Sequence, residues 1–97
     1  MKKIFKLESP GHMLAQTLKE LGVSQYRFAH ASGIDRAVLH GICAGTRRIT
    51  AENAVRIART LGTDAQSWLN AQAKFDLWQL EQHAEKFSNI EPLTTVA

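Results

Sequence analysis

Cysteine is nearly absent from this chain: Cys43 is the single one in 97 residues, so an internal disulfide framework is excluded. No basic segment leads into a short apolar core of the secretory kind, and a reducing, cytoplasmic setting is the expectation. No run is long and apolar enough to span a bilayer, so no membrane role is expected. Catalytic signatures are missing as well. No nucleophile stands beside a base and no glycine-rich phosphate loop occurs, which makes an enzyme the least expected class and gives no reason to expect a cofactor. His40 and Cys43 have half the spacing of a zinc site, but no second pair follows and Cys43 falls in an apolar stripe, so no metal is expected.

Charge is present, and unevenly spread. The formal net charge of +3 conceals ten Lys or Arg against four Asp or Glu in residues 1–59, and two against five in residues 60–97. A cationic first half suits a phosphate-facing surface and leaves the second half for another contact. The length suits one domain with a modest core.

The cationic half holds SQYRFAHASGIDRAVLHGICAG, residues 24–45, which reads as a helix, a tight turn and a second helix. Ser24 is the N-cap candidate, Phe28 and Ala29 face inward, and Ala29 is small enough for a close helix crossing. Ser32, Gly33 and Ile34 form the turn, with Gly33 free to take the left-handed conformation. Asp35 caps the second helix, Leu39, Ile42 and Cys43 make its buried stripe, and Gly45 ends it. The opposite face carries Ala37, Gly41 and Ala44, with Arg36 and His40 along one shoulder. Such a bare face can sink into a major groove roughly 12 Å wide, where a few longer side chains reach base edges.

The remainder of the chain frames this pair. Residues 1–9 form a short basic arm in which Lys2, Lys3 and Lys6 are available to phosphates. Pro10 and Gly11 open a helix to about Leu21, with Leu14, Leu18 and Leu21 on one face and Gly22 after it. Thr50 caps a helix over residues 51–61, with Ala54, Ile57, Ala58 and Leu61 inward and Arg56 and Arg59 in solvent. Thr63 or Asp64 caps a last helix that reaches Lys86. Its first half, with Trp68, closes the core. Leu77, Trp78 and Leu80 in its second half have less domain to pack on and predict an exposed apolar patch that a second copy of the chain can cover. Residues 10–86 thus form the domain, and residues 87–97, aperiodic and containing Pro92, a mobile tail.

SPG before the first helix, VSQYRFA, AGTRRIT running into AENAVRIARTLGT, and above all SWLNAQAKFDLWQLE resemble the antitoxins of HigA type, among the phage-repressor-like helix-turn-helix proteins. The resemblance covers residues 10–80, and Trp68, Leu69, Asn70, Gln72, Asp76 and Leu77 carry its specific part. It implies an all-α, five-helix lambda-repressor-like DNA-binding domain. It further implies a homodimer on a palindromic operator overlapping its own promoter, and a complex with a HigB-type toxin, a ribosome-dependent mRNA endonuclease. Two departures stand out. Gly41 and Ala44 replace long polar residues common in the family's recognition helices, and Gly45-Thr46-Arg47 replaces Gly-Lys, moving the first cation by one residue.

The expected machinery follows. Arg36, Ala37, His40, Gly41 and Ala44 meet base edges, and Ser24, Gln25, Thr46, Arg47 and Arg48 meet phosphates. Leu77, Trp78 and Leu80 meet a second subunit. The alternative is a stand-alone helix-turn-helix transcriptional regulator without a toxin, and a module that has lost DNA binding is a third reading.

Overall fold

Five short polar side chains start five helices. In the computed structural model, which describes residues 7–94, these are α1 Pro10–Leu21, α2 Gln25–Ser32, α3 Arg36–Ala44, α4 Ala51–Leu61 and α5 Ala65–Glu81, followed by a 3-10 turn at Ala84–Phe87. Ser9, Ser24, Asp35, Thr50 and Asp64 each accept a hydrogen bond from a first-turn amide that has no carbonyl partner. Each such cap stabilises its helix by about 1 kcal/mol. Lys2, Lys3 and Lys6 of the expected arm lie outside the described residues.

The apolar stripes of α1 to α4 meet in one core. Leu14, Leu18, Phe28, Leu39, Ile42, Ala54 and Ile57 are almost wholly removed from solvent, joined by Ile49 from the α3–α4 loop. α1 packs on α3, α2 on α3 and α4, and α5 on α4. α5 adds Ala65, Trp68 and Leu69 to this core, all of them only partly buried. The Trp68 indole N–H donates to the Thr63 hydroxyl at 2.8 Å, which leaves Asp64 as the cap.

Four local expectations need correction. Leu21 is 59% exposed: the left-handed turn at Gly22 returns the chain so that Val23 donates to the Leu18 carbonyl at 2.9 Å and packs on the core in its place. Ser32 is the last residue of α2, with its hydroxyl accepting from the Ile34 amide, so the turn proper is Gly33 to Asp35. Arg56 is not simply solvated. Its Nη1 donates to the Ser32 carbonyl at 3.2 Å and its Nη2 pairs with Glu52, satisfying the C-terminal end of α2. Finally, α5 stops at Glu81, short of Lys86. Beyond Gln72 it buries no residue fully, and without a packed face its last turns have little to hold them.

Gln72 is the one polar side chain that α5 buries, at 4% exposure. Its Oε1 accepts from the Ile49 amide at 2.9 Å and its Nε2 donates to Asp76 at 3.0 Å. Gln72→Leu leaves the buried Ile49 amide without a partner and is expected to cost about 1–3 kcal/mol. Urea unfolding of the two chains would measure it, and equal midpoints would refute the account.

Candidate nucleic-acid interface

The site begins with two helix starts set side by side. The turn at Gly33, φ 75°, lets α3 cross α2 closely, and the side chain of Arg56 fills the space where a Cβ on that glycine would sit. Asp35 Oδ2 accepts from the amides of Ala37 at 3.0 Å and Val38 at 3.3 Å, so its carboxylate is engaged with the backbone. Arg36, Ala37, His40 and Ala44 are exposed along one side of α3, while Leu39, Ile42 and Cys43 are buried on the other. Burial pushes the Cys43 thiol up, which keeps it protonated and unreactive. Ser24 is exposed and Gln25 half-buried at the start of α2.

Gly41 is a correction. The sequence pattern places it on the open face, but it is buried. Its carbonyl accepts from the amides of Thr46 and Arg47, at 2.9 and 3.1 Å, and from the Thr46 hydroxyl at 3.2 Å. A Cβ at this position would stand 2.8 Å from Cγ and Cδ of Arg47. The bare Cα leaves room for the Arg47 stem to lie across α3 where the loop folds back. Thr46 and Arg47 themselves remain exposed at the end of the same surface.

Arg48 takes a different course. Its Nε and Nη2 meet Asp76 Oδ2 of α5 at 2.8 and 2.6 Å. Burial alone pushes the Asp76 carboxyl up. The hydrogen bonds from Arg48 and Gln72 and the Arg48 charge outweigh that, and its pKa falls below the usual carboxylate range. Ile49, Gln72, Asp76 and Arg48 thus form a chain of contacts that ties the α3–α4 loop to α5. Gln72 and Asp76 were prominent in sequence only through their motif; the structure gives them a task.

Two further residues were given no role by the sequence. His12 sits on the outer face of α1, yet its Nε2 lies 3.2 Å from the Ala44 carbonyl, a hydrogen bond in the tautomer protonated there. It covers the C-terminal end of α3, where a Cβ on Gly45 would meet its ring. Tyr26 lies under the Arg36 guanidinium. At the far end, Leu77 and Leu80 are exposed and Trp78 is half-buried, its ring stacked with Phe75 at 6.0 Å between centroids.

A capped two-helix unit with a tight turn, presenting a small-residue face bordered by free cations, defines a helix-turn-helix protein. A family model described as helix-turn-helix matches residues 14–68. Virulence-associated protein I of Dichelobacter nodosus is 39% identical over 91% of this chain and 82% of its own. Antitoxin HigA-1 of Vibrio cholerae is 31% identical over 88% of this chain and 82% of its own. The solved structure of Pseudomonas aeruginosa antitoxin HigA with higBA promoter superposes with a TM-score of 0.82 at 29% identity, covering 92% of this chain and all of that one. The chain belongs to the helix-turn-helix family, and within it to the HigA-type antitoxins. No helix among the described residues is long and apolar enough to cross a membrane.

Proposed function

We propose that the chain is the antitoxin of a type II toxin-antitoxin module, which binds and neutralises a HigB-type mRNA endonuclease in the cytoplasm and represses its own operon. The observation that carries the DNA-binding half is the exposed stripe Arg36, Ala37, His40 and Ala44 on a helix whose cap is satisfied internally. Arg36 and Ala37 lie in the first turn, where side chains enter the groove, Arg36 suited to a guanine edge and Ala37 to a thymine methyl. Ser24, Gln25, Thr46 and Arg47 flank the stripe and set register through phosphates. The P. aeruginosa structure, an antitoxin HigA with higBA promoter, supports the DNA-binding reading.

Dimerisation belongs to the second half of α5. Leu77 and Leu80, exposed at 61% and 47%, form with Trp78 the apolar surface that a second subunit covers. A two-fold pair would then read half-sites of a palindrome about 34 Å apart, or a multiple of that. The activity needs binding groups only, with no catalysis, metal or cofactor.

Footprinting on the chain's own upstream region, with co-expression of its genomic neighbours, tests both halves. Protection of a symmetric site and co-purification of a small basic protein are expected. Protection with nothing co-purifying would leave a stand-alone regulator, and an unprotected region would end the repressor reading.

A further inference from the structure

Tyr26 is large, aromatic and 65% exposed on the second residue of α2, so core packing does not explain it. The Cζ of Arg36, the first residue of α3, lies over its ring, 4.6 Å from the centroid. The two residues are brought together only by the turn that sets the helix starts side by side. Among the described residues Arg36 takes part in none of the ion pairs. Its neighbour Asp35 caps the helix through Oδ2, and no ion pair joins it to Arg36 among the described residues. The ring is therefore the partner that orients it. A guanidinium held over an aromatic face through its cationic centre has its N–H groups available to another partner and less rotamer freedom left to lose when they are used. Gln25, Tyr26, Arg36, Ala37 and His40 line one shallow depression between the two helix starts.

We propose that Tyr26 is a positioning residue for sequence reading: its ring holds Arg36 in the orientation in which paired N–H donors meet a guanine edge. The inference rests on the DNA-binding reading above and adds to it a residue that specifies without touching the base. The test measures binding of the whole chain to two duplexes of equal length, one from its own upstream region and one of random sequence. Tyr26→Ala is expected to lower the ratio of the two affinities about two- to five-fold, the worth of an exposed cation–π contact. Random-duplex affinity and the salt dependence should stay at parent values. Tyr26→Phe keeps the ring and the parent ratio. Tyr26→Ala in an Arg36→Ala background should change the ratio no further. Should Tyr26→Ala fail to fold, Tyr26→Leu supplies the bulk without the π face and is expected to show the same loss. A variant that weakens both duplexes alike, leaves the ratio untouched, or acts undiminished without Arg36 would overturn the proposal. A parent chain that binds both duplexes equally would instead overturn the DNA-binding reading, and the two failures are told apart by that control.

Discussion

Gly11→Ala is expected to destabilise the chain by about 3 kcal/mol, at the upper end for an overpacked contact. For a domain of this size that corresponds to a fall in Tm of roughly 12–24 °C. The cause is a backbone contact. A Cβ on Gly11 would overlap the Ile42 carbonyl oxygen, stand 2.7 Å from the Ile42 carbonyl carbon and crowd its Cγ2 at 3.2 Å. Nothing there can rotate away, so α1 and α3 must separate, opening the core around Leu14 and Ile42. Gly41→Ala is the contrasting case. The atoms nearest to its Cβ would be Cγ, Cδ and Nε of Arg47, which belong to an exposed side chain and not to backbone. Moving that side chain costs little, and alanine is the better helix former by about 1 kcal/mol. Thermal melting of the two variants should therefore split them, the first far below the parent and the second at or above it. Similar losses in both would mean that the α1–α3 crossing is looser than described.

Arg47→Ala is expected to flatten the logarithmic dependence of DNA affinity on salt by about 0.9, the release associated with one neutralised phosphate. Arg47 is an exposed cation without an ion-pair partner among the described residues, carried over α3 by the contact of its stem with Gly41. Arg48→Ala should change the slope much less, because Asp76 already holds that guanidinium at 2.6 Å and partly cancels its charge. Arg47→Ala should lose affinity for specific and random duplexes alike, since phosphate contacts carry no sequence information. Titrations at several salt concentrations decide it. An unchanged slope for Arg47→Ala would remove it from the interface, and a full unit lost with Arg48→Ala would show that DNA displaces Asp76.

The helix plan was legible in the sequence because caps and stops are local chemistry. Ser24, Asp35, Thr50 and Asp64 each satisfy an amide two or three residues away, so their effect requires no knowledge of the rest of the chain. Periodicity also exposed the buried stripes of α3 and α4. It failed at Leu21, where the turn at Gly22 hands the core position to Val23, and at the end of α5, which stops at Glu81 instead of Lys86, although Leu77 and Leu80 are exposed as expected. The open face of α3 was half legible. Arg36, Ala37, His40 and Ala44 are exposed as expected, while Gly41 is hidden by a loop residue whose path helical spacing does not describe.

Sequence alone determined where the five helices start, the glycines that follow the first four, most of their apolar sides and where positive charge gathers, since each depends on neighbours within about one turn of helix. Tertiary structure decided what the polar side chains do once folded. It set Arg48 on Asp76, His12 on Ala44, Arg56 on Ser32 and Arg36 on Tyr26. The partners in these pairs are ten or more residues apart in the chain, and only the helix crossings bring them within reach of one another.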